Sequence, residues 1–367
     1  MEQEQVIKLK ITTGCPDMPS NSKPRLQGLC LRQHHYINNM DNPDENFYKY
    51  VEVIVIRVHV KDIWPSEDRF DFSQIDDMLT WARKMKSRGL NIKFKLRVVA
   101  GMLSGEWLIN KCDKFLFEKS GYETTPGFED ASDYCPSFWG DTWLMYWERL
   151  MTKLADHYDE DPYLSEITVT GSATGTGEPM IWGIGNNDDY AVRRDQMIAA
   201  GANPTNTLSA IYSCIDIMQV FKRTNIGIPL TEFQHCVKPF FQELDTAFEI
   251  GEYMANLFKG RCVLGNNGLR VSDSTGGDKW TAPDGVMWQL QMHYIHMKFK
   301  HGSGIYNQTA SVKNMGGESN IIPTLNAGLG YMDGMVELPG GETDIKGYLN
   351  VAQLALYEHL YKKNEPN

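Results

Sequence analysis

Along this chain short runs of aliphatic and β-branched residues, such as Val53-Ile-Val-Ile56, alternate with longer stretches whose apolar positions recur at helical spacing. That alternation predicts βα units feeding a parallel sheet. Strands are expected over 26–36, 51–60, 91–99, 166–172, 226–233, 262–266, 304–309 and 334–338. Helices are expected over 73–88, 141–158, 207–223, 240–258, 283–300 and 345–361. Ser73-Gln-Ile-Asp76 suits a helix start, and Gly89 behind Arg88 suits its stop. Eight strands make a single (β/α)8 barrel over residues 26–367, with 1–25 as an N-terminal extension outside the core. The alternative is an open doubly wound sheet, but the early Gly-rich phosphate fingerprint that would favour it is absent.

In a barrel, the long connections 100–140 and 178–206 rise over the rim at the C-terminal ends of the strands, where barrel enzymes place their chemistry. They are rich in aromatics. Trp107, Trp139 and Trp182 are candidates for stacking on sugar faces, whereas Trp143, Trp147 and Trp288 have the spacing of core residues on helices.

Two Gly-Glu pairs carry the candidate chemistry. Glu178 ends the run Leu164-Ser-Glu-Ile-Thr-Val-Thr-Gly-Ser-Ala-Thr-Gly-Thr-Gly-Glu178, and Glu318 lies in Met315-Gly-Gly-Glu-Ser-Asn320. Each follows a strand-like run, so one barrel would bring both carboxylates to the same rim. Opposed carboxylates are what glycosidic bond cleavage needs, one protonated to assist the leaving oxygen and one ionised to attack the anomeric carbon. Arg57 and Arg97, near the ends of their strands, would keep Glu318 ionised and orient it. His59 and Asn266 are candidates for hydroxyl contacts. Glu232 in Leu230-Thr-Glu-Phe-Gln-His235 is the first substitute for Glu318, and Glu337 in Val336-Glu-Leu-Pro339 the second.

Charge narrows the class of partner. With 36 Lys and Arg against 47 Asp and Glu, the chain of 367 residues carries a net charge of -11. That opposes nonspecific attraction to nucleic acid or an anionic membrane and suits a neutral ligand. The apolar runs are far shorter than the ~20 residues of a membrane-spanning helix. The opening Met-Glu-Gln-Glu-Gln-Val lacks the basic start and apolar stretch of a secretory signal, so the protein is cytosolic unless a signal was removed. Seven cysteines without CxxC spacing read as buried or free thiols. His34-His35 and the pair His293 and His296 show no third ligand at fitting spacing, so no metal and no cofactor is expected. Asn186-Asn-Asp-Asp189 has oxygen donors that would suit a structural Ca²⁺, and Asn307-Gln-Thr309 is a glycosylation sequon.

The stretch Val55-Ile-Arg-Val-His-Val-Lys-Asp-Ile-Trp-Pro-Ser-Glu-Asp-Arg-Phe-Asp-Phe-Ser-Gln-Ile-Asp76 resembles the second βα unit of the retaining glycoside hydrolase clan of cellulases and β-galactosidases. Gly89-Leu-Asn-Ile-Lys-Phe-Lys-Leu-Arg-Val-Val-Ala-Gly101 and Glu106-Trp-Leu108 are similar to the clan's third strand and its Trp-Leu loop. Tyr146 to Pro162 is similar to the helix before the acid/base strand. The resemblance extends over about 26–362. It implies that Glu178 is the acid/base and Glu318 the nucleophile of a retaining glycosidase acting on β-linked glycans, with carbohydrate as partner. One position departs from the clan, since Gly177 stands where most members have the Asn that holds the sugar 2-hydroxyl. Two alternatives are a barrel that binds carbohydrate without cleaving it and a metal-dependent barrel hydrolase or lyase.

Overall fold

The computed structural model describes residues 18–32, 43–117, 130–175, 179, 187–239, 241–271 and 285–365, with backbone only for 187–190. Eight strands close into a barrel: β1 Gly28–Arg32, β2 Val53–His59, β3 Lys93–Val99, β4 Leu164–Thr168, β5 Asn225–Pro229, β6 Cys262–Leu269, β7 Gly304–Thr309 and β8 Met335–Glu337. Each pairs in parallel with its neighbours in sequence, and β1 pairs with β8 to close the ring. All eight expected strands are present, most of them shorter than expected. Around them lie α1 Ser73–Ser87, α2 Asp141–Tyr158, α3 Asn187–Ala199, α4 Pro204–Ile217, α5 Asp245–Phe258, α6 Val286–His301, α7 Ile321–Gly330 and α8 Val351–Lys363. This is a (β/α)8 barrel.

Side-chain alternation along the strands builds two cores. Ile54, Ile56 and Val58 of β2 and Phe94, Leu96 and Val98 of β3 face outward and are buried with the apolar stripes of the helices. Their neighbours face inward. Leu26, Cys30, Val53, Val55, Val263, Tyr306 and Met335 form a separate apolar cluster inside the barrel. Above it the inward positions become charged.

Local chemistry explains where the elements differ from expectation. The helix expected over 345–361 is two, because Asn350 caps a new start: its side chain accepts from the Gln353 N–H at 3.0 Å while Gln353 accepts from the Asn350 N–H at 2.9 Å. An equivalent box between Asn203 and Asn206 starts α4 at Pro204, ahead of the expected 207. Helix α7 was not anticipated. Its Pro323 and three glycines or alanines after residue 326 mute the helical signal, although proline is tolerated in a first turn. Gly89 does end α1, at φ 85° with the Leu90 N–H bonded back to Met85 O.

Residues 22–27, most of them within the expected extension, are tied to the floor of the barrel. Lys23 is buried and donates to Tyr158 O at 2.9 Å and Leu164 O at 2.7 Å. Arg25 forms an ion pair with Glu365 and bonds Gly260 O, and Leu26 plugs the inner apolar cluster. Polar residues here satisfy carbonyls at strand starts instead of facing solvent.

The sequon at Asn307 is a strand residue. Asn307 is fully buried, accepts from Gln291 Nε2 at 2.9 Å and donates to both carboxylate oxygens of Asp333 at 2.8 and 2.9 Å, so no glycan can be attached there. Burial pushes the Asp333 carboxyl up from an ordinary 3.8 to about 8, against the Asn307 hydrogen bond and the charge of Lys298. A folded value above the unfolded one stabilises fully below about pH 3.8, and that contribution is lost as pH rises through about 8. The stability of Asp333→Asn relative to wild type, followed by urea unfolding, is therefore expected to drift in favour of the variant between those pH values and then level off.

Candidate functional site at the barrel mouth

The upper half of the barrel is polar because strand β3 reads Lys93-Phe-Lys-Leu-Arg97, with Phe94 and Leu96 beneath the helices and Lys95 and Arg97 inside. Lys95 is 0% exposed. Its Nζ lies 3.0 Å from Glu166 Oε1 on β4, 3.2 Å from Glu337 Oε1 on β8 and 3.1 Å from the centroid of the Tyr306 ring on β7. Two glycines make room for this group. A Cβ at Gly227 would stand 2.5 Å from Glu166 Oε1, and one at Gly265 would stand 2.4 Å from the Tyr306 ring.

Arg97 forms the next level. It donates through Nη2 to Glu337 Oε1 at 2.9 Å and through Nη1 to Gln308 Oε1 at 3.1 Å, joining β3, β7 and β8 across the mouth. Burial alone would raise the Glu337 carboxyl, but Arg97, Lys95 and Arg32 outweigh it and hold the group ionised, below its usual range. Glu166 is instead raised, by burial. The attraction of Glu166, Tyr306 and Glu337 overcomes the burial of Lys95 and keeps it charged. Arg57 of β2 is the lateral neighbour of Arg97 and is half-buried, and burial, then the adjacent Arg97 charge, lowers it to about 10. Arg32 at the end of β1 donates to Thr309 O at the end of β7.

The expected site residues divide into three groups. Arg57, Arg97 and His59 face the mouth on β2 and β3, but the carboxylate that Arg97 grips is Glu337, and His59 Nδ1 sits 3.3 Å from Asp62. A second group lies around it. Glu318 is exposed, at the head of a single 3₁₀ turn (Glu318–Asn320) that leads into α7, nine residues beyond Thr309. Glu232, in the turn after β5, accepts from Gln242 Nε2 at 2.9 Å. Trp107 donates its indole N–H to Trp64 O at 2.8 Å and borders an open cleft of about 410 Å³ together with Lys61, Glu106, Asp130 and Ser132. Trp139 stacks on Phe115 at 5.4 Å and packs on Phe138 at 5.0 Å. Asn266 is engaged at both ends of its amide, donating to Leu230 O at 2.6 Å and accepting from the Gly268 N–H at 2.8 Å, which steadies the irregular end of β6. The third group, Glu178, Gly177 and Trp182, lies outside the described residues, as do His34, His35 and the side chains of Asn186 to Asp189.

Sequence reasoning did not anticipate Lys95, Glu166 and Tyr306 as a connected group. The signal was present in β3 as charged residues alternating with apolar ones, the inverse of a strand whose polar face meets water. Among the described residues no three His, Cys, Asp or Glu side chains cluster to hold a metal ion, and the six described cysteines are buried free thiols. His293 stacks on Phe248 at 4.7 Å, and burial followed by the charge of His296 lowers it to about 4. No helix among the described residues is long and apolar enough to cross a membrane.

The barrel with this mouth was compared with known proteins. No family model matches the chain, and no curated protein does. Among solved structures, endo-glycoceramidase II from Rhodococcus sp. in complex with ganglioside GM3 superposes with a TM-score of 0.52 at 13% identity, over 93% of this chain and 81% of that one. The same enzyme as a lactosyl-enzyme intermediate gives a TM-score of 0.50 at 12% identity, over 89% and 77%. The likeness is one of fold.

Proposed function

We propose that this chain is a glycoside hydrolase that cleaves β-linked oligo- or polysaccharide with retention, Glu178 acting as acid/base and Glu318 as nucleophile. The observation that carries the reading is the polar mouth at the C-terminal ends of the strands, where arginines from β1, β2 and β3 converge on a fold shared with an enzyme trapped as a lactosyl-enzyme intermediate. Glu318 follows β7 and is open to solvent, so a sugar can approach it; Glu178 follows β4 in the sequence. Glu337, ionised but 0% exposed, is too enclosed to attack an anomeric carbon. Its role is to anchor Arg97. Trp107 and its cleft supply an aromatic wall for a further sugar unit.

The mechanism follows from the roles. The protonated glutamate gives its proton to the glycosidic oxygen as the ionised one attacks, and water then releases the glycosyl group with the first residue acting as base. Hydrolysis of a panel of β-linked glycans, with the anomer of the first-formed product read by proton NMR, tests it. The β-anomer is expected first. First-formed α-anomer would overturn the retaining pair, and binding without hydrolysis across the panel would leave a carbohydrate-binding barrel.

A further inference from the structure

We propose that Lys95 and Arg97 form a brace across the barrel that fixes the spacing of the two proposed catalytic glutamates, Lys95 serving as a positioning residue. This deepens the glycosidase reading and rests on it for what is positioned. Round the closed ring, β3 stands four places from β7 and three from β8, so contacts from β3 to either strand cross the interior instead of following the wall. Lys95 and Arg97 make such contacts at two levels. Lys95 Nζ lies 3.2 Å from Glu337 Oε1 on β8 and 3.1 Å from the Tyr306 ring centroid on β7, and it also holds Glu166 on β4 at 3.0 Å. Above it, Arg97 reaches the same Glu337 oxygen at 2.9 Å and Gln308 Oε1 on β7 at 3.1 Å. At 0% exposure Lys95 is out of reach of any substrate, so an effect of Lys95 on turnover must pass through the strands it ties.

The braced strands are the ones that lead to the proposed catalytic pair. Beyond β4 the chain is stitched to the end of β3: Thr170 Oγ1 donates to Val98 O, and the Met102 N–H donates to Thr174 O at 2.8 Å, four residues before Glu178. At the end of β7, Thr309 Oγ1 donates to Glu337 O at 2.9 Å and Thr309 O accepts from Arg32, nine residues before Glu318. Ladder hydrogen bonds join each strand to its neighbours, whereas the distance between opposite strands is set by the side chains that fill the interior. Apolar side chains of similar volume can repack with little loss. A buried ion layer is no more stabilising than an apolar one, and what it adds here is a single arrangement. Precision of this kind matters to a retaining pair, which works at a separation of about 5–5.5 Å and can lose about 100-fold in rate for a displacement of about 1 Å.

The test is steady-state hydrolysis of a glycan that the wild type cleaves, by the intact chain and well below the melting temperature of each variant. Lys95→Met combined with Glu166→Gln restores the balance of buried charge, and with it much of the stability, but not the tie across the barrel. Its kcat is expected about 100-fold below wild type with KM within about 3-fold, the mark of lost positioning without lost binding. Gln308→Leu removes the contact of Arg97 with β7 and leaves the buried charges in place. It should melt close to wild type and lose about 10-fold in kcat, again with KM held. If kcat of the double variant returns to within about 3-fold of wild type as its melting temperature recovers, Lys95 only supports the fold and the proposal is overturned. A KM that rises as kcat falls overturns it as well, since the loss would then lie in binding. Should the double variant fail to fold, Gln308→Leu decides, and a kcat within about 2-fold of wild type removes the brace. Full activity in both Glu178→Ala and Glu318→Ala is a different failure: it removes the catalytic pair, while a kcat defect in the double variant would still show that the brace positions whichever groups do the chemistry.

Discussion

Turnover of an active β-linked glycan is expected to fall by about 10²–10⁴-fold in Glu178→Ala, the range that general acid catalysis contributes, while KM stays within a few-fold. Glu318→Ala should lose on the order of 10⁴ or more, as removal of a nucleophile does. Sodium azide separates the two. In Glu318→Ala a small anion can occupy the vacated space and attack the anomeric carbon, so activity should return with a glycosyl azide as product. In Glu178→Ala the departing group lacks its proton, and substrates with good leaving groups should suffer least. Because Glu318 is exposed and lies outside the barrel wall, its replacement should leave the melting temperature unchanged within a degree or two. If both variants retain full activity, the pair is not the catalytic machinery.

The second large effect is on stability. Among the described residues Lys95 is the cation that lies within 3.2 Å of both Glu166 and Glu337, and all three side chains are essentially without solvent. Lys95→Met keeps the length and the apolar stem but leaves two buried carboxyl groups with less compensation. The expected cost is about 3–5 kcal/mol, the penalty for breaking a buried ion pair from one side. The denaturant midpoint should fall with the slope unchanged. Glu166, already raised by burial, would rise further without its lysine. A folded carboxyl value above the unfolded one contributes stability at low pH that is lost as pH rises, so the deficit of the variant should shrink in acid. Lys95→Met with Glu166→Gln should recover much of the loss, because Glu337 retains Arg97. A single variant as stable as wild type would mean that Lys95 is not compensating these acids.

How the chain folds was largely visible in the order of its residues. The runs that became β2 and β3 were identifiable because a short β-rich run alternates between one face under the helices and one inside the barrel, and α2 because its stripe of Trp143, Tyr146, Trp147, Leu150 and Leu154 has one helical face. Helix α7 and the hairpin pairing Lys114–Leu116 with Tyr134–Pro136 were not, since one is rich in small residues and the other joins segments far apart in sequence.

For the site, sequence by itself named the candidates: glutamates that follow strands four and seven in the sequence, arginines near strand ends and tryptophans in the long connections. It could not determine which acid meets which base. Arg97 was expected to serve Glu318 and instead grips Glu337, because barrel closure places β8 against β1 and turns Glu337 inward at the level of Gln308. Likewise Asn266 read as a sugar ligand until the end of β6 consumed both ends of its amide. Local pattern sets the strands because it depends on neighbours two to four residues away. Pairings of charge across the mouth depend on register and closure, which join residues as far apart as Arg97 and Glu337, and only the tertiary structure decides those.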